Sequence, residues 1–71
     1  VDSDFNCSYN KLTTLEGCPK VVNGDFYCNN NLLTSLEHAP LVVNGDFDCY
    51  ENNLEYLDCN TEISGKFRHI K

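Results

Sequence analysis

A twelve-residue phrase recurs three times at one fixed step, and this constrains the fold more than any other feature. The copies are Asp4-Phe5-Asn6-Cys7-Ser8-Tyr9-Asn10-Lys11-Leu12-Thr13-Thr14-Leu15, Asp25-Phe26-Tyr27-Cys28-Asn29-Asn30-Asn31-Leu32-Leu33-Thr34-Ser35-Leu36 and Asp46-Phe47-Asp48-Cys49-Tyr50-Glu51-Asn52-Asn53-Leu54-Glu55-Tyr56-Leu57. Their common form is D-F-x-C-x-x-N-x-L-x-x-L, starting at 4, 25 and 46, a step of 21 residues. A broken fourth start, Lys66-Phe67-Arg68-His69-Ile70, follows 20 residues later. A period of this length is the mark of a repeat solenoid, in which each coil buries its apolar face against the next. The repeats divide residues 1–71 into coils 4–24, 25–45 and 46–65, with partial coils at 1–3 and 66–71, all in one solenoid.

Each coil opens on a strand pattern. Phe5 and Cys7 alternate with Asp4, Asn6 and Ser8, the period of a half-buried strand. The same alternation at 25–29 and 46–50, and again from Lys66 to Ile70, predicts a parallel sheet of about four strands. Asn10, Asn31 and Asn52 end the first three strands and are expected to stack on adjacent coils, where an amide can satisfy both donors and acceptors of the turn backbone. The pairs Leu12/Leu15, Leu33/Leu36 and Leu54/Leu57 are expected to point inward. The segments before Pro19 and Pro40 are too short for an α-helix, so extended or 3₁₀ backs are expected. Val22, Val43 and Ile63 should also face the core. Asn23-Gly24 and Asn44-Gly45 ordinarily signal a two-residue hairpin. Here the copies run the same way at a fixed step, so these pairs are read as corners between parallel strands, with Gly at a positive φ or a tight bend.

At 71 residues the chain is one small unit, and three coils are about the minimum for a stable stack. The net charge of -6 argues against a nucleic-acid partner, which requires clustered Lys and Arg, and against an anionic membrane surface. No apolar run approaches the ~20 residues of a membrane span, and no signal-peptide pattern is visible. The sequence contains no Met and opens on Val1-Asp2-Ser3, which aligns with the end of a coil, so the native protein is expected to extend further.

Of the five Cys, Cys7, Cys28 and Cys49 recur at the repeat period, while Cys18 and Cys59 share a column with Ala39. Cys interchangeable with Ala is a small buried apolar residue, which points to reduced thiols and a cytoplasmic location. Cys7, Cys28, Cys49 and His69 form a line along the stack, and a line does not give the tetrahedron a zinc site needs. No metal site and no cofactor are therefore expected. No nucleophile with a base, acid/base pair or phosphate loop is visible, so no catalytic residue is assigned and the protein is not expected to be an enzyme. Asn6-Cys7-Ser8 matches a glycosylation acceptor but falls within a strand.

The phrase F-x-C-x-x-N-x-L-x-x-L resembles the leucine-rich repeat signature L-x-L-x-x-N-x-L, with Phe5, Phe26 and Phe47 in the first Leu place and Cys7, Cys28 and Cys49 in the second. The tail Asn31-Leu32-Leu33-Thr34-Ser35-Leu36-Glu37-His38-Ala39-Pro40 is similar to the short bacterial and bacteriophage class of these repeats. The resemblance covers essentially the whole chain. It implies a right-handed coil with one parallel sheet and mostly irregular backs, used as a binding scaffold. It departs from the family in its strand Phe and Cys residues and in a third coil shortened by one residue.

In such a scaffold the outward sheet positions contact partners. They form three columns: Asp4, Asp25, Asp46 and Lys66; Asn6, Tyr27, Asp48 and Arg68; Ser8, Asn29, Tyr50 and Ile70. The Asp column has two readings, caps on N–H groups at the corners or a surface for a cation or basic partner. The expected contact surface is Asn6, Tyr27, Asn29, Asp48, Tyr50 and Arg68, binding another protein, because Tyr is enriched at interfaces. The alternative is an assembly component, such as part of a phage particle, in which copies stack head to tail and Lys66 continues the Asp column with opposite charge. A virion is then the alternative location.

Overall fold

In the computed structural model, which describes residues 1–69, every strand pair is parallel and every pairing joins one repeat to the next. The first sheet has the order β1 (Phe5–Asn6), β3 (Phe26–Tyr27), β5 (Phe47–Asp48), β7 (Phe67–Arg68). Its register places Phe5 opposite Phe26, Phe26 opposite Phe47 and Phe47 opposite Phe67. The pairing continues past the two-residue strands, since Cys7 N–H donates to Tyr27 O and Tyr9 N–H to Asn29 O. The expected four-strand parallel sheet is therefore present. The expected last strand shortens to Phe67–Arg68, and Ile70 lies outside the described residues.

A second parallel sheet was not expected. It comprises β2 (Val21–Val22), β4 (Val42–Val43) and β6 (Glu62–Ile63), in that order. Each Asn-Gly pair is the corner by which a coil leaves this sheet and enters the first. These corners do not take a positive φ, which among the glycines belongs to Gly17 alone. Gly45 is required instead by close approach, because a Cβ there would lie 2.8 Å from the Gly24 carbonyl carbon and collide with Asp25 Oδ1.

Between the two sheets lies the core: Leu15, Val22, Phe26, Cys28, Leu33, Leu36, Val43, Phe47 and Cys49 are buried. The rings of Phe5, Phe26, Phe47 and Phe67 form a continuous file with centroids 5.8, 5.0 and 5.4 Å apart. Burial of each central Phe contributes about 1.5–3 kcal/mol. Leu57 departs from the inward expectation at 40% exposed. It belongs to the shortened third coil, whose back lacks the turn present in the other two.

The backs are irregular, one of the expected forms, with that turn in place of a 3₁₀ segment. Cys18 N–H donates to Leu15 O and Ala39 N–H to Leu36 O, each closing a single β-turn. Gly17 (φ 91°) and His38 (φ 72°) hold the same turn position, so His38 occupies a left-handed site that favours Gly. Tyr9, Asn30 and Glu51 share a second left-handed position at the end of each strand. This bend aims the following Asn back at the chain. Asn31 Oδ1 accepts from Leu12 N–H at 3.0 Å, while its Nδ2 donates to Cys7 O at 3.0 Å, Cys28 O at 3.1 Å and Asn29 O at 3.3 Å. Asn52 repeats this set one coil later. The Asn side chains thus tie each coil to the one before through its backbone rather than through one another.

Candidate functional site: the outward face of the four-stranded sheet

The face is organised by its Asp column. Asp4 Oδ1 accepts from Asp25 N–H at 2.7 Å, Asp25 Oδ1 from Asp46 N–H at 2.7 Å, and Asp46 Oδ1 from Lys66 N–H at 2.9 Å. Each carboxylate therefore caps the corner amide of the following coil. The capping reading of the column is the one observed, with the target one coil further along than a local cap would be. The N–H donors offset the crowding of like charges. Hydrogen bonds from Asp46 N–H and then the Tyr27 phenol lower the pKa of Asp25.

The second carboxylate oxygens organise the neighbouring column. Tyr27 Oη donates to Asp25 Oδ2 at 2.8 Å, and this bond pushes the phenol up to about 12. Tyr27 is half-buried, with its hydroxyl fixed. Arg68 Nη1 lies 3.0 Å from Asp46 Oδ2 and 3.2 Å from Asp48 Oδ1, and hydrogen bonding to Asp48 raises the guanidinium pKa further.

Six residues were expected to form the contact surface, and the structure divides them. Asn6 and Arg68 are exposed, and Tyr27 and Tyr50 are half-buried. Asn29 and Asp48 are only 3% and 4% exposed. Asp48 is held by Arg68 from the adjoining strand, and Asn29 Nδ2 donates to Asn30 Oδ1. These two residues support the face instead of presenting contact area. The sequence reading missed that Asp25 and Asp46 orient Tyr27 and Arg68. The signal was available, since Asp25 and Tyr27 stand two residues apart on one strand face.

Four of the thiols are not poised for chemistry. Burial raises the pKa of Cys7, Cys18 and Cys28 and pushes Cys49 up to about 12, so these residues stay protonated at neutral pH. Among the described residues no three of His, Cys, Asp and Glu converge to hold a metal, and no helix is long and apolar enough to cross a membrane. An open groove of about 660 Å³ runs along the β-turns and is lined by Glu16, Pro19, His38, Pro40 and Tyr56 among others. It lies apart from the Asp and Tyr columns. No protein-family model, curated protein or solved structure matches the chain.

Proposed function

We propose that the protein is a non-catalytic binding scaffold that contacts another protein through the outward face of its four-stranded sheet. The accompanying fold reading is a right-handed solenoid of the leucine-rich-repeat type, supported by the 21-residue register and the inward Asn. The observation that carries the functional reading is Tyr27, an aromatic side chain held in one orientation on an accessible face by Asp25. Fixing an aromatic contact before binding lowers the entropy lost on association. Tyr50, Asn6 and Arg68 complete the accessible set, with Asn29 and Asp48 beneath them.

The test compares proteins retained from the native source by the wild type, by Tyr27→Ala/Tyr50→Ala and by a control on another surface, Lys11→Ala. The reading expects a partner retained by wild type and control and lost by the double variant. Equal retention by all three would remove this face from the contact surface.

A further inference from the structure

The hexapeptide Val-Val-Asn-Gly-Asp-Phe occurs twice without change, at 21–26 and 42–47. Both copies turn the same corner between the two sheets, and both corner Asn side chains are exposed. The fold nonetheless gives the two Asn-Gly pairs different surroundings. We propose that Asn23 is a site of self-modification, converting to aspartate and isoaspartate in the folded protein, while Asn44, in the same local sequence, is protected.

The chemistry needs only water. The backbone nitrogen of the Gly attacks Cγ of the Asn side chain. A new N–Cγ bond closes a succinimide ring, the Cγ–Nδ2 bond breaks, and the side-chain nitrogen leaves as ammonia after taking up the proton lost from the Gly nitrogen. Water then opens the ring at either carbonyl, giving aspartate or its isomer linked through the side chain. Glycine permits the attack because no side chain blocks the nitrogen's approach.

Two contacts separate the copies. The first concerns the nucleophile. Gly45 N–H donates to Gly24 O at 2.9 Å, so an attack by its nitrogen would have to break a hydrogen bond of the stack. Gly24 N–H has no acceptor among the described residues. The second concerns the oxygen on which negative charge develops as Cγ becomes tetrahedral. Asn44 Nδ2 donates to Asn23 Oδ1 at 2.9 Å, which places a donor where charge accumulates. In the third coil Ser64 takes the place of the corner Asn, and Asn44 Oδ1 receives no bond among the described residues. Asn23 therefore has a free nucleophile and an oxyanion donor, and Asn44 has neither.

The two products differ in effect. Aspartate at 23 keeps an oxygen acceptor for Asn44 and makes the chain one unit more negative. Isoaspartate inserts a methylene into the backbone between β2 and β3, at a corner where the coils are in close contact.

The experiment ages the folded chain at neutral pH and follows both sites by peptide mapping, with isoaspartate detected by enzymatic methylation. Asn23 is expected to convert about tenfold faster than Asn44, equivalent to about 1.4 kcal/mol on the barrier. In denaturant, where the local sequences are identical, the two rates should become equal. Asn44→Ala, at an exposed position, should slow conversion at 23 while leaving the circular dichroism unchanged. Equal rates in the folded chain, a faster Asn44, or a difference that persists in denaturant would each overturn the proposal. A rate at Asn23 unaffected by Asn44→Ala would overturn the role of the oxyanion donor.

Discussion

Asn31 shows how much one side chain can hold in a chain this small. It is 5% exposed and makes four hydrogen bonds, to two coils. Asn31→Ala leaves the Leu12 amide without its acceptor and removes one of two Asn donors from each of the Cys7 and Cys28 carbonyls, and the expected loss is about 1–3 kcal/mol. Asn10 is exposed and bonds only within its own coil, so Asn10→Ala should cost less. Urea midpoints for the two variants check the order. Tyr27 and Asp25 make a titration pair whose signs can be worked out. The Tyr27 value is raised to about 12 in the folded chain, so its contribution to stability is complete below the ordinary phenol value and is lost as pH rises through about 12. The Asp25 value is lowered from 3.8, so its contribution is complete above the unfolded value and is lost as pH falls through the folded one. Ultraviolet titration should find one phenol ionising late, and Asp25→Asn should return it toward 10.0. A late phenol that persists in Asp25→Asn would contradict the pair. At this scale the sequence was informative about roles and less so about exposure. Alternation assigned Asn29 and Asp48 to the outward face, but not the reach of Arg68 across a strand that covers Asp48.

At the scale of the element, the strands were legible because Phe and Cys alternate with polar residues and the alternation repeats. The second sheet was not foreseen, although Val21-Val22 and Val42-Val43 carried a β-branched signal beside each corner. Those pairs alternate over only two positions, too few to show a period. The backs are irregular and hold no helix, as the short segments before Pro19 and Pro40 led one to expect. What the sequence did not show was the β-turn that the chain closes through Gly17 or His38 in the first two coils. Replacing His38 by Gly relieves a left-handed φ of 72°, and the expected result is a higher unfolding midpoint. Gly17→Ala, at φ 91°, should lower it. Opposite signs at equivalent turn positions identify the turn, and equal signs would count against it. In the core file, Phe47→Ala removes a fully buried ring with neighbours on both sides, at an expected cost of about 3–5 kcal/mol. Phe5, half-buried with one ring neighbour, should cost less.

The whole molecule is organised by one relation, the pairing of each residue with the residue one repeat away. That relation places three Asp side chains so that each caps the next coil, brings four Phe rings into file, and sets Tyr27 and Arg68 on one accessible face. It also gives two identical hexapeptides unequal chemistry. Local sequence permits the competing arrangement, a hairpin at each Asn-Gly pair, in which Val22 would face Asp25 across the turn. Nuclear Overhauser spectroscopy separates the two most directly. The stacked arrangement predicts contacts from the Phe26 amide to the α-proton of Phe47 and from the Cys28 amide to that of Cys49, the residues that follow the carbonyls accepting at 2.8 and 2.9 Å. Cross-turn contacts between Val22 and Asp25, with no contacts linking 26 to 47 or 28 to 49, would contradict the parallel stack and the outward face built on it.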